Sequence, residues 1–213
     1  MKHTFFVSGI GTEIGKTVSS AILTEALKAD YWKPIQAGEL DYSDSHKIEE
    51  WVSHPQLHIH PERHRLEHPM SPHAAAAREN VQIEIKDFKT PEPVNSTLLI
   101  EGAGGLLVPL NDTITLLDLI QELQVPVILI SRYYLGSINH TLLSAEVLKN
   151  RGIEVAGIVF NGEENAESKS VILDMTGLKE LGCIPELEEV TPETIKQAAD
   201  QLRPQLLKSL FNE

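Results

Sequence analysis

Cysteine is almost absent from this chain. Cys183 stands alone among 213 residues, so no disulfide can close within the chain and the composition fits a reducing compartment. Its neighbours Gly182 and Ile184 belong to a late apolar run, which reads Cys183 as a buried structural thiol and not as a nucleophile. Basic residues are also scarce: 18 Lys and Arg stand against 31 Asp and Glu, a net charge of −13 spread along the sequence. That balance argues against general binding to nucleic acid or to anionic membranes, which select for basic patches. No apolar run approaches the roughly 20 residues of a membrane span. No signal peptide opens the chain, since Lys2 is followed almost at once by a strand-like run. Internal repeats, linkers and low-complexity stretches are missing too. The expectation is one cytoplasmic domain over residues 1–213, with a 41% hydrophobic content that supports a substantial core.

What is present is organised around Gly9-Ile10-Gly11-Thr12-Glu13-Ile14-Gly15-Lys16-Thr17. An apolar run, Thr4 to Ser8, precedes it as a buried strand. Val18 to Lys28 follows with apolar residues at helical spacing. Strand, glycine-rich turn and helix are the setting of a phosphate-binding loop, where successive amides and the helix dipole face an anion. Lys16 would reach the outer phosphates and the Thr17 hydroxyl would hold their magnesium. The common pattern needs a glycine at position 10, where this chain has Ile10, so the loop is one residue longer than usual.

The remainder alternates strands and helices. Tyr31 to Ile35 reads as a strand with Lys33 at its carboxyl end, where ligands bind in open parallel sheets; Lys33 either reaches the phosphates or is a solvated lysine. Asp41 to Val52 reads as an acidic turn and a helix, with Asp44 either capping that helix or reaching magnesium. Residues 54 to 73 hold six of the nine histidines. Their spacing matches no zinc pattern and four prolines interrupt it, so an irregular connection with solvated imidazoles is expected. Ser71-Pro72-His73 begins a helix with a cap and a proline at its first position. Thr97 to Glu101 is an apolar strand ending in an acid, followed by Gly102-Ala103-Gly104-Gly105; a carboxylate beside the loop is where a nucleotide's magnesium is oriented. Leu116–Leu123 is a helix, Pro126–Ser131 a strand, and Gly136 opens a helix to Arg151. Ile153–Asn161 is a strand whose terminal Asn161 either reads an adenine edge or turns the chain. Ala166–Met175 is a helix and Leu181–Pro185 the last strand. Thr191 caps a closing amphipathic helix that Pro204 should kink. The pattern gives an α/β fold, a mainly parallel sheet with helices on both faces, P-loop NTPase-like.

Together Gly9-x-x-Thr12-x-x-Gly15-Lys16-Thr17, Lys33-Pro34, Asp44, Ser71-Pro72-His73, Glu101 to Gly105 and Leu135-Gly136-Ser137-Ile138-Asn139-His140 resemble the dethiobiotin synthetases, from about residue 4 to Pro185. The resemblance implies a cyclo-ligase of biotin biosynthesis. It closes a cyclic urea on 7,8-diaminononanoate with carbon dioxide and ATP, through a carbamate and a carbamic-phosphoric anhydride. It implies that Lys16 and Lys33 flank the γ-phosphate and the carbamate, with Thr12 beside them. Glu13, Ile14, Gly15, Lys16, Thr17 and Val18 would hold the phosphates; Thr17, Asp44 and Glu101 the magnesium; Glu101, Gly102, Ala103 and Gly104 the nucleotide; and Asn161, Gly162, Pro185, Glu186 and Leu187 the adenine. Substrate would meet residue 37 and Ser71, and Gly136, Ser137, Ile138 and Asn139 would bind its carboxylate across a homodimer interface. One position departs from the family. Where a Thr or Ser hydroxyl touches substrate, this chain has Ala37, a loss of about 1 kcal/mol of hydrogen bonding. Two other readings share the loop: a partitioning or positioning ATPase that switches on nucleotide, and a synthetase amidating a corrinoid acid.

Overall fold

The computed structural model describes residues 2–212; Met1 and Glu213, the ends of the expected 1–213 domain, lie outside them. β1 (His3–Gly9) leads into α1 (Lys16–Leu27), β2 (Asp30–Trp32) and β3 (Ile35–Ala37). A single 3-10 turn, Leu40–Tyr42, precedes α2 (Asp44–Trp51), and β4 (Ile59–His60), β5 (His64–Leu66) and α3 (Pro72–Arg78) follow. β6 (Thr97–Gly105), α4 (Leu116–Leu123), β7 (Val127–Arg132), α5 (Ser137–Asn150), β8 (Val155–Asn161), α6 (Ala166–Thr176), β9 (Glu180–Ile184) and α7 (Pro192–Phe211) complete the alternation.

Seven strands form one sheet in the order β4-β2-β6-β1-β7-β8-β9, every pairing parallel. Parallel strands covered on both faces read as continuous apolar runs, because successive side chains feed two different cores. Phe5 and Val7 of β1 pack with Ile22 and Leu23 of α1 and Ile195 and Ala199 of α7. Phe6 points the other way, to Leu116 and Ile120 of α4 and Leu148 of α5. Leu98 and Ile100 of β6 join that second core while Leu99 joins the first. With β1 near the centre and β6 and β7 on its flanks, the carboxyl ends of β1, β2 and β6 lie side by side.

Several local expectations are corrected. The strand expected over Tyr31–Ile35 is two: after Trp32 the chain leaves the main sheet, and Ile35–Ala37 pairs with β5 in a separate two-stranded sheet. Pro34 has no N–H to continue the ladder and its carbonyl instead accepts from Arg63 and His64. β6 does not end at Glu101 but runs to Gly105, shifting register against β1 between Val7 and Gly9. The histidine-rich stretch holds strands β4 and β5, and its imidazoles are not all in solvent: His54 and His60 are buried. α7 continues through Pro204 as one helix, with Leu202 before it and Leu206 beyond it both buried. Cys183 is half-buried on β9, and burial pushes its thiol up. Among the described residues, no helix is long and apolar enough to cross a membrane.

Candidate functional site

The loop leaves β1 at Gly9 and enters α1 through Gly15, whose φ of 81° lies in the left-handed region. A side chain there would be strained and would also strike Asn161, 2.2 Å from the position of a Cβ. Lys16 turns back along the lengthened loop and donates to the Gly11 carbonyl at 2.9 Å. Burial is the main force on its ammonium, assisted by Lys33 and opposed by Glu101 and Asp44, and brings its pKa down to about 8.

Lys33 is the centre of the arrangement. It follows β2, whose Trp32 pairs with Ile100 of β6, so Lys33 meets Glu101 across the two strand ends. Its Nζ donates to Glu101 Oε1 at 2.9 Å and to Asp44 Oδ2 at 2.5 Å. Thr17 donates to the same Glu101 Oε1 at 3.1 Å, and the buried Tyr31 hydroxyl donates to Oε2 at 2.9 Å. Burial alone would discharge Lys33, but the two carboxylates more than offset it and raise its pKa above the ordinary lysine value. Asp44 moves the other way: burial would raise its pKa, and Lys33 with Lys47 lowers it. Lys33 is therefore a fixed cation and not a base. Asp44 does not cap α2. Ser43 takes that place, its N–H donating to His46 Nδ1 at 3.0 Å, which leaves the Asp44 carboxylate free for Lys33.

These groups open on a cavity of about 720 Å³. Of the residues singled out from the sequence, it is lined by Thr12, Glu13, Gly15, Lys16, Thr17, Val18, Lys33, Ala37, Asp44, Ser71, Glu101, Ala103 and Gly104. Ser71 reaches it as the cap of α3, with Pro72 at the first helical position. Ile14 and Gly102 sit behind the lining, Ile14 in the core and Gly102 packed against Phe6 and Leu116. Asn161 also stays outside, and its amide donates to the Ile14 carbonyl at 2.7 Å. Gly162 follows it and donates to Ile184, bringing Pro185, Glu186 and Leu187 to the outer side of the loop. There Glu186 pairs at 3.2 Å with Arg132, which does line the cavity. Gly136, Ser137, Ile138 and Asn139, at the start of α5, do not line it.

Four contributors escaped the sequence reading: Tyr31, Arg132, Glu39 and Lys47. Lys47 lines the cavity and stands three residues after Asp44 on α2, an acid–base spacing visible in the sequence. Tyr31 carried no such signal, since a tyrosine in an apolar strand reads as core. For magnesium, the donor set suits a hard cation. One hydroxyl and two carboxylates converge, and the position between the carboxylates already accepts the Lys33 ammonium. In the histidine-rich stretch some ring nitrogens have other contacts, while His54 Nδ1, His60 Nε2 and His64 Nε2 make no hydrogen bond among the described residues. His54 meets the Ala29 carbonyl at 3.3 Å, His60 the Asp30 carboxylate at 3.5 Å, and His68 Glu79 at 2.9 Å.

A family model described as an AAA domain matches residues 3–194. The ATP-dependent dethiobiotin synthetase of Christiangramia forsetii is 49% identical over 97% of this chain and 99% of its own length. Those of Cytophaga hutchinsonii and Agrobacterium fabrum are 50% and 46% identical over 93% and 94% of this chain, and 96% and 94% of their own lengths. Among solved structures, the Pyrococcus furiosus cell division ATPase MinD aligns with a TM-score of 0.61 at 15% identity, covering 98% of this chain and 99% of that one. A putative plasmid partition protein from Borrelia burgdorferi bound to AMPPNP gives 0.61 at 11%, covering 100% and 99%. At those identities the likeness is one of fold: the α/β, P-loop NTPase-like architecture expected from the sequence is the one observed.

Proposed function

The chain belongs to the ATP-dependent dethiobiotin synthetase family, and on that premise we propose that it uses ATP to close the cyclic urea of dethiobiotin from 7,8-diaminononanoate and carbon dioxide, as a single cytoplasmic domain. One amine of the substrate takes up carbon dioxide as a carbamate. A carbamate oxygen attacks the γ-phosphate, and the second amine then displaces phosphate from the mixed anhydride. Such a sequence asks the protein for charge neutralisation and alignment more than for covalent help.

The residues fit those demands in distinct ways. Lys33, held protonated by Asp44 and Glu101, supplies a permanent positive charge where carbamate and γ-phosphate meet. Lys16 and the loop amides, with Thr12, cradle the phosphates from the other side. Tyr31 fixes the Glu101 carboxylate from behind, so that Oε1 faces Thr17 and Lys33. Thr17, Asp44 and Glu101 would hold a magnesium ion, which when bound supplies charge neutralisation on the transferring phosphoryl group. Asn161 to Gly162 and Pro185 to Leu187, gathered beside the loop, form the adenine wall. Gly136 to Asn139 lie outside this chain's own cavity, and Leu135 just before them is fully exposed. We assign that segment to the partner's substrate site in a homodimer.

The observation that carries the reading is Lys33. A buried ammonium stands where the phosphate loop and the substrate wall share one cavity, in a chain nearly half identical to named synthetases over almost all of its length. The decisive test is phosphate release from magnesium-ATP on addition of diamine and bicarbonate, with dethiobiotin identified by mass. Release should require the diamine, and Lys33→Ala should lower kcat by about 10²- to 10³-fold. ATP turnover that ignores the diamine would replace this reading with the switch ATPase.

A further inference from the structure

We propose that Glu39 binds the ammonium group of the diamine, supplying the polar contact that Ala37 cannot make; the inference rests on the synthetase reading above. On the wall facing the phosphate loop, Ala37 lines the cavity without a polar atom. Its neighbour Gln36 is already engaged: Nε2 donates to the Gly38 carbonyl at 2.9 Å and Oε1 accepts from Asp44 N–H at 3.3 Å. The chain then takes two consecutive left-handed residues, Gly38 at φ 75° and Glu39 at φ 53°. Gly38 is wedged in place, because a Cβ there would lie 2.5 Å from the Pro69 backbone. Glu39 pays for that turn with a conformation that non-glycine residues rarely adopt, and such strain collects at ligand sites.

The carboxylates on this side of the cavity differ in what they have left to give. Glu101 is held by Thr17, Tyr31 and Lys33. Asp44 faces Lys33 with one oxygen and Lys47 with the other. Glu39 gives Oε2 to Lys47 at 2.7 Å, while Oε1 accepts no hydrogen bond among the described residues. Its side chain is 64% exposed. An acceptor oxygen without a partner among the described residues therefore stands on a side chain that lines the cavity, two residues beyond the missing hydroxyl. The substrate supplies the complement. Two amines on adjacent carbons suppress each other's second proton by like-charge repulsion, so one ammonium and one free amine coexist near neutral pH. Glu39 holds the ammonium and leaves the free amine to take up carbon dioxide. The ammonium then gives its proton to water before that nitrogen displaces phosphate from the anhydride. Lys47 occupies the other oxygen at 2.7 Å and so competes with the ammonium for the carboxylate.

Steady-state kinetics with magnesium-ATP, bicarbonate and varied diamine test this in the full-length enzyme. Glu39→Gln should raise the diamine KM about tenfold, the loss of a charge-assisted bond, with kcat and the ATP KM unchanged. Ala37→Ser in the Glu39→Gln background should recover part of that loss. Lys47→Met frees the Glu39 carboxylate and should leave the diamine KM no higher than in the wild type. An unchanged diamine KM in Glu39→Gln overturns the proposal. So does a Lys47→Met variant that reproduces the Glu39→Gln increase, because Glu39 would then serve only to hold Lys47. A wild-type enzyme that does not consume the diamine at all refutes instead the synthetase reading.

Discussion

Two regions of this molecule bury charge, and they spend it differently. At the sheet edge, Glu25 accepts from the N–H groups of Ser53 and His54 at 2.6 and 3.0 Å, and Asp30 accepts from Val94 and Asn95. Both carboxylates are almost wholly buried, and both pin loop backbone to the body of the fold. At the cavity, Glu101 is as deeply buried, yet its partners are side chains: Thr17, Tyr31 and Lys33. A carboxylate bound to backbone amides has a structural duty that ligand binding would undo. One at a cavity wall with no backbone partner can exchange its side-chain partners for a ligand. The difference lies in the partners and not in the depth of burial, and it separates a staple from a site.

Paired isosteric substitutions would sharpen that contrast most. Glu101→Gln keeps the shape and most hydrogen bonds but removes the charge that Lys33 and a metal would face; kcat should fall about 10²- to 10³-fold. Glu25→Gln at the edge should leave kcat intact and lower unfolding stability by about 1–3 kcal/mol, as the negative charge on the amide-bound group and the Lys28 ion pair are lost. Turnover and denaturant melts on both variants decide it. If Glu25→Gln loses turnover as Glu101→Gln does, the partner rule fails. A smaller effect is expected at the loop. Gly15→Ala places a methyl against the Asn161 amide at a left-handed φ, and the resulting strain of about 1–2 kcal/mol should weaken ATP binding about tenfold. The diamine KM should stay unchanged, since Gly15 touches the phosphate side. Titration of each ligand separately checks it.

How legible each region was follows from the same distinction. The loop could be read because its chemistry is contiguous, and Lys33 and Glu101 because strand ends in a parallel sheet predict a shared crevice. Asp44 was open between cap and ligand; only the fold puts Ser43 at the cap and Asp44 on Lys33. Asn161 was open between adenine and turn, and its amide is now seen holding the loop carbonyl of Ile14. Glu39 carried no periodicity, since its orientation depends on Gly38 lodged against Pro69 thirty-one positions along the chain. The histidine-rich stretch misled because composition shows the rings but not their partners. Ala29 and Asp30 come from the junction of α1 and β2, and Glu79 from the end of α3.

That stretch supplies the gentlest test. Burial, assisted by the charge of Lys28, lowers the pKa of His54 against the pull of Glu25 and Asp30. It also lowers that of His60, facing Asp30 and His58. Both rings are therefore neutral in the fold and titrate lower than in the unfolded chain, whose histidines take up protons near pH 6.5. The unfolded state binds the extra protons below that value, so stability is present above it and declines as pH falls. Nearby acids do not blur the window, because Glu25 is held below its ordinary range and stays charged. Between pH 7.5 and 5.5 the fold should lose on the order of 1 kcal/mol, read as a lower Tm. Replacing both rings, as His54→Asn with His60→Asn, should flatten that slope whatever it does to the Tm itself. A wild-type Tm that holds steady to pH 5.5 would mean that the edge histidines bind their protons as readily folded as unfolded, and the contrast between edge and cavity would lose its electrostatic half.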